Sequence, residues 1–447
     1  MNPLMNGRRK RVLVLVSLLV ASLIVSSCSN GDELAKDDGP VTIHIQLPII
    51  MQDPTSLMYE NAVLNFHKLH PNVTVVLDYT ELQPGTQQIA LDPIKLLQED
   101  IPPDIVPMSQ SQVQLVADKG LLKDLLPLQP TDNSIEVDIP KSLLDSTTVD
   151  GKLLLLPYAA YPLGVYYNKR IFDEAQVPYP ADGWTWEQFR ETSRQLHADY
   201  GSMLDYDIWT LEMLLGSLGA KLLSEDGSTV VGYLDSPEAV KAMKWLNAYY
   251  RDDARKSKPQ TFVDSYEQFN DFNVGMVVNG AGVGYPNFEG ADREWLGVSP
   301  LPYFEGGQRA SPLVGVQGIG IPQKSLHPQE AWSFISYLML QNNVDSIKLA
   351  RGYYPTSKKI ADGSSNAMDT ARSVFLEEMD YAVVSSFSPL IMNAWDDKLQ
   401  AQFDELLDTE DNALQGALHE IALQFEQSIA RAKSDSEHQA EATTAAS

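Results

Sequence analysis

The sequence predicts an α/β protein built from more than one compact unit. Three observations carry this expectation. The chain opens as strand, helix and strand with short connections, the pattern of a largely parallel sheet. The same mixture recurs downstream, with helix starts marked by capping residues. At 447 residues the chain has room for two or three units, and its burial fraction is high enough to hold them without disulfides.

Val41, Ile43, Ile45 and Leu47 alternate with Thr42, His44 and Gln46, the two-residue period of a half-buried strand. A helix is expected around Tyr59–His70, stopped by Pro71-Asn72, with a second strand at Val73–Leu77 and a third at Ile105–Pro107. Leu163–Tyr167 is apolar and aromatic, as a buried strand is. Thr185-Trp186-Glu187-Gln188 forms a capping box opening a helix to about His197. Ser236-Pro237-Glu238 supplies an N-cap, a first-turn proline and an acidic residue for a helix to about Tyr250. Val274–Val278 and Leu313–Ile321 read as strands, and Gly315, Gly318 and Gly320 in the second predict close backbone approach or a bend. Leu414, Leu418, Ile421, Phe425 and Ile429 share one face of a long amphipathic helix. From Ser434 onward the small, polar composition predicts a disordered tail.

The net charge of −27 excludes a phosphate-rich partner, since nucleic acid binding draws on clustered Lys and Arg. No metal-ligand spacing stands out among the seven His, and no cofactor is expected. H-E-x-x-H, G-x-S-x-G and P-loop motifs are absent from the sequence. Paired carboxylates for glycoside hydrolysis stay open, because 60 acidic residues offer many pairs. Asp205 and Asp207 are one such pair, and a solvated turn explains them as well.

Arg8-Arg9-Lys10-Arg11 precedes an apolar run from Val12 to Val25, too short to span a bilayer but suited to an export signal. It ends in Val25-Ser26-Ser27-Cys28, and Cys28 is the one cysteine of the chain. These four residues resemble a bacterial lipobox. That resemblance implies cleavage after residue 27 and a diacylglyceryl anchor on Cys28 at the extracytoplasmic face of the membrane, two acyl chains being enough for stable anchoring. Residues 29–40 then read as a flexible tether.

Several segments together resemble one family. They are Pro103-Asp104-Ile105-Val106 followed by Ala117-Asp118-Lys119-Gly120-Leu121-Leu122; Gly151-Lys152-Leu153, Leu156-Pro157-Tyr158 and Tyr166-Tyr167-Asn168-Lys169; Trp184-Thr185-Trp186-Glu187-Gln188-Phe189; and Val274–Gly280, Leu301-Pro302 and Ala331–Ile335. Their order over residues 41–430 resembles the bacterial extracellular solute-binding proteins that include the maltose-binding protein. The resemblance implies a periplasmic-binding-protein-like fold: two α/β lobes joined by a hinge of three crossings, with the ligand in the cleft between them. It also implies an ABC permease as partner, a small-molecule solute such as a sugar as cargo, no catalysis, and a monomer.

The crossings are expected near Ala159–Leu163, Ser311–Gly315 and Arg351–Pro355, where Pro162, Pro312 and Gly352 suit a hinge or a turn. They divide the chain into lobe one (41–158 and 313–351) and lobe two (159–312 and 352–433), followed by the tail 434–447.

A sugar site needs aromatic platforms for ring faces and planar polar groups for hydroxyls. By its six-residue spacing from Pro389, the resemblance makes Trp395 a stacking residue; a core Trp explains it too. Tyr161 lies at the first crossing and Trp209 where lobe two lines the cleft. Tyr285 and Tyr353 are further aromatic candidates, and Gln52, Gln110 and Gln112 could supply neutral hydrogen bonds. Met108, Ser111-Gln112 and Ala281 replace a Trp, an Asp-Arg pair and a Trp found in relatives, so lobe one looks poor in stacking groups and maltose itself is disfavoured. A binding protein serving a membrane sensor and a secreted glycan-acting enzyme are the alternative functions.

Overall fold

The computed structural model describes residues 39–47, 56–80, 92–129, 134–196, 200–251, 273–280, 294–340, 354–364 and 370–446. The alternating opening segment is strand β1 (Val41–Leu47), with Ile43, Ile45 and Leu47 buried and Thr42 and His44 exposed. Strand β2 (Val73–Tyr79) pairs with it in parallel, from Val41↔Val73 to Leu47↔Tyr79. The helix Ser56–Leu69 between them buries Met58, Ala62 and Phe66. A parallel bridge from Ile45 to Ile105 leads into β3 (Val106–Ser109). A short hairpin follows, β4 (Thr148–Val149) with β5 (Lys152–Leu153).

The spine of the molecule is β6 (Leu156–Asn168), of which the expected strand Leu163–Tyr167 is the second part. Later strands are β7 (Tyr200–Met203), β8 (Val274–Gly280), β9 (Leu296–Ser299), β10 (Ser311–Gly320) and β11 (Ala382–Val384). The first half of β6 runs antiparallel to β10, from Leu156↔Ile319 to Pro162↔Leu313. Its second half runs antiparallel to β8 and to β9. In turn β10 carries β3 antiparallel and β11 parallel, while β7 joins β8 in parallel.

The expectation of a largely parallel sheet is therefore corrected. The parallel units are present at β1–β2, β7–β8 and β10–β11, but in the large sheet the long strand β6 runs antiparallel to β8, β9 and β10. One strand passing through both halves must oppose strands that come back the other way.

Two hydrophobic cores share β6. One takes its Leu156, Tyr158, Ala159, Ala160 and Tyr166 together with Ile43, Ile45, Phe66, Ile319, Trp332 and Phe334. The other takes Val165 and Tyr167 with Phe172, Trp186, Phe189, Leu211, Trp245 and Phe425. Where β6 changes partners, residues 354–356 lie beside it. The Ala160 N–H donates to the Tyr354 carbonyl at 3.1 Å, and the Thr356 N–H donates to the Tyr158 carbonyl at 3.2 Å. The pairing of β6 with β10 shifts register between Leu313 and Val316 at the same level.

Local expectations meet the structure as follows. The Thr185 hydroxyl accepts from the Gln188 N–H and the Gln188 side chain accepts from the Thr185 N–H, so the helix Trp186–Gln195 opens on a complete capping box. Ser236 Oγ accepts from the Ala239 N–H ahead of the helix Pro237–Arg251. A methyl added at Gly318 would meet Leu155 Cβ at 2.7 Å, the close approach read from the glycine-rich strand, whereas Gly315 has open space. The disordered tail is a correction: the helix that buries Leu414, Leu418, Ile421, Phe425 and Ile429 continues to Ala446. Its last stretch holds Glu437, Ala440, Glu441, Ala442, Ala445 and Ala446, strong helix formers that extend an already nucleated helix.

Candidate functional site

Among the predicted residues, Trp209 and Trp395 are both tied to the segment 385–395, Trp209 through Phe387 and Trp395 as its last residue. Asp207 caps the helix Ile208–Ser217 by accepting from the Thr210 N–H at 2.8 Å, so this carboxylate is a helix cap, not a loose turn. Burial pushes the Asp207 carboxyl above its ordinary value. Trp209 sits in the first turn after that cap and is 41% exposed. Its inner side rests on Phe387, with ring centroids 3.8 Å apart and planes tilted by 36°.

Phe387 belongs to a segment pinned to the same helix. Glu212, one turn after Trp209, is buried; its carboxylate accepts from the Ser385 hydroxyl and the Ser386 N–H, each at 2.7 Å. Burial holds the Glu212 carboxyl above the usual glutamate value against these two bonds. The chain then enters the short helix Pro389–Ala394, capped by Ser388 Oγ, and Trp395 closes it.

Trp395 is held on three sides. Its ring stands edge-on to Phe403 and Phe425, and its Nε1–H donates to Gln400 Oε1 at 3.0 Å. The Gln400 amide in turn donates to the Tyr206 carbonyl at 3.3 Å. Trp395 is thus half-buried against the second core, as the packing reading has it. Tyr206 stays inside, its hydroxyl donating to Asn247 at 2.7 Å.

Tyr161 lies on β6 at the change of partners, half-buried against the first core, and burial raises its phenol. Tyr158, three residues earlier, is buried beside Tyr59 of the opening helix, and burial drives its phenol well up. Gln112 ends the turn Gln110–Gln112 that follows β3, half-buried, and makes no side-chain cap to the next helix. Ser109 pairs with Gln317, which pairs with Ala159, so β3 ends into the Gln112 turn close to the level of Tyr161 within β6. Gln52, Tyr285, Tyr353 and Cys28 lie outside the described residues.

Sequence reading missed Phe387, Glu212, Tyr59 and Arg309. Arg309, just ahead of β10, donates to the fully buried Glu378 at 2.6 and 2.9 Å and to Asp182 at 3.3 Å. Its guanidinium lies 4.2 Å from the Tyr381 ring centre. No local signal marks these residues, since each has its partner far along the chain. A cavity of about 280 Å³ is lined by Pro140, Pro355, Thr356, Lys358, Glu377 and Asp380 among others, and none of the predicted residues borders it. Among the described residues no group of three or more His, Cys, Asp or Glu is placed to hold a metal, and no helix is long and apolar enough to cross a membrane.

Comparison with known proteins fits this architecture. A binding protein of Brucella abortus is 22% identical over 289 residues, covering 62% of this chain and 65% of that one. The galactooligosaccharide-binding protein of Bacillus subtilis is 21% identical over 310 residues, 66% of this chain and 69% of that one. The structure of the sugar-binding protein MalE from Xanthomonas citri superposes with a TM-score of 0.70 at 15% identity, over 89% of this chain and 99% of that one. The fold is the periplasmic-binding-protein-like one, two α/β lobes on shared crossing segments. Residues 51–340 match the family described as bacterial extracellular solute-binding protein, and the chain belongs to that family.

Proposed function

We propose that this chain is the receptor of an ABC importer, capturing a sugar or oligosaccharide outside the cell and handing it to a membrane permease without chemical change. The observation that carries this reading is the Trp209–Phe387 pair, a half-exposed indole backed by a buried ring. Such a surface suits the apolar face of a pyranose. The names of the Bacillus and Xanthomonas relatives point to the same ligand class.

In this reading β6, β10 and residues 354–356 are the hinge. Lobe one comprises 41–158 and 313–351; lobe two comprises 159–312 and 352–433. Tyr161, Gln112, Gln52, Tyr285 and Tyr353 complete the contacts from the other elements of the cleft. A ligand that touches both lobes binds the closed form more tightly and shifts the population toward it. Cys28 carries the lipid anchor, and the receptor works as a monomer at the extracytoplasmic face of the cell membrane.

The test is a thermal-shift screen of residues 29–447 against mono- and oligosaccharides, amino acids, polyols and polyamines, followed by titration of Trp209→Ala. Ligand at 100 times its Kd stabilises by about 2.7 kcal/mol. An indole of roughly 250 Å² that is 41% exposed offers a ligand ~100 Å². Covering half to all of that area stabilises the complex by about 1–2.5 kcal/mol, so the variant binds roughly 5- to 70-fold more weakly. Silence from every saccharide, or unchanged affinity in a folded Trp209→Ala protein, refutes the assignment.

A further inference from the structure

The Trp209–Phe387 pair joins two segments far apart in the chain, and something must hold Phe387 under the indole. The hydrogen bonds trace a closed circuit. Glu212 Oε2 accepts from the Ser385 hydroxyl at 2.7 Å, and Glu212 Oε1 accepts from the Ser386 N–H at 2.7 Å. Ser385 Oγ accepts in turn from the Phe387 N–H at 3.2 Å. Phe387 then meets Trp209, which lies three residues before Glu212 on the same helix and so on the same face. Both carboxylate oxygens are used, and the ring that Trp209 rests on is 6% exposed.

We propose that Glu212 is a positioning residue that latches residues 385–387 onto the helix Ile208–Ser217 and thereby sets the geometry of the Trp209–Phe387 platform. The inference deepens the sugar-binding reading and rests on it for its purpose. A buried carboxylate is a costly choice for mere packing, because its desolvation is repaid only when its oxygens are satisfied. Here the acceptors go to the backbone and side chain of the one segment that carries Phe387. An apolar residue at 212 would fill space and leave the Ser386 N–H and the Ser385 hydroxyl without this acceptor. Exposed aromatic platforms bind well when they are already in place, since ordering them on binding subtracts from affinity.

The decisive measurement is amide hydrogen exchange across 383–390 in the intact chain, in Glu212→Leu, Glu212→Gln and Ser385→Ala proteins. Leucine keeps the volume and removes both acceptors, whereas glutamine keeps an oxygen for the Ser386 N–H and can donate to Ser385 Oγ. Glu212→Leu is expected to speed exchange at Ser386 and Phe387 by ~10-fold or more, with protection in the helix Pro237–Arg251 unchanged. Ser385→Ala, a loop change that leaves the core alone, should speed Phe387, and Glu212→Gln should stay near wild type. Unchanged exchange in both the Leu and Ser385→Ala proteins overturns the latch. So does exchange in Glu212→Gln as fast as in Glu212→Leu, or loss of protection spread evenly through the second core in Ser385→Ala. Failure of the sugar reading shows separately, as no stabilisation of the wild-type chain by maltose, maltotetraose or galactose oligosaccharides while the exchange pattern stands.

Discussion

Replacing Arg309 by Met keeps an unbranched stem against Tyr381 and removes the charge, leaving the Glu378 carboxylate with no cation. Glu378 is fully buried and the Arg309 side chain is 16% exposed, so water cannot take over the role of the guanidinium. Removing one member of such a pair costs about 3–5 kcal/mol, most of it the penalty of the charge left behind. In the wild-type protein burial already holds the Glu378 carboxyl above 4.5, with Arg309 pulling against it. Without Arg309 the folded-state value climbs further, since burial then acts with no cation to oppose it. The sign follows: the folded variant holds a proton that the unfolded chain releases, so its deficit is largest at alkaline pH and shrinks as pH falls toward 4.5. Urea unfolding followed by circular dichroism at pH 8 and pH 5 measures both quantities. Arg309→Met paired with Glu378→Leu should recover most of the loss, since an apolar pair of similar volume removes both charges. A deficit below about 1 kcal/mol at pH 8, the range of a surface pair, would refute the reasoning, as would a deficit independent of pH.

Other predictions follow from the same contacts. Burial raises Glu212, Asp207, Asp404 and Glu378 above ordinary values of 4.5 and 3.8. The folded chain therefore binds more protons than the unfolded one above those values, and its stability falls as pH rises through the shifted ones; self-repulsion from a net charge of −27 acts in the same direction. The melting temperature should be higher at pH 5 than at pH 8, and Glu212→Gln should flatten the slope; a flat or inverted wild-type profile contradicts this. Trp395→Ala should cost about 3–5 kcal/mol, because the ring is wedged between Phe403 and Phe425, so Trp395→Phe is the variant in which to titrate saccharide. A Trp395→Ala protein as stable as wild type would show that the core does not depend on the ring. Cys28→Ser should release the protein from membranes in fractionated cells, and retention there would sink the lipid-anchor reading.

Much of this protein was legible in its sequence because local patterns record local physics. Alternation along Val41–Leu47 reflects one wet and one dry face, and the cap at Thr185 satisfies N–H groups that any helix start leaves open. Trp209 and Trp395 could be named only as candidates, through the family resemblance. The pairing sense of the sheet could not, because a strand carries no mark of which neighbour it will meet; β6 had to be seen running against both β10 and β8. The tail was misread because composition speaks to burial and not to the helix it continues. What only the tertiary structure decided are the long-range contacts: Glu212 meets Ser385 across 173 residues and Gln400 meets Tyr206 across 194. Chain folding chooses such contacts by packing whole elements together, so the residues that hold Trp209 and Trp395 in place have no signature until those elements meet.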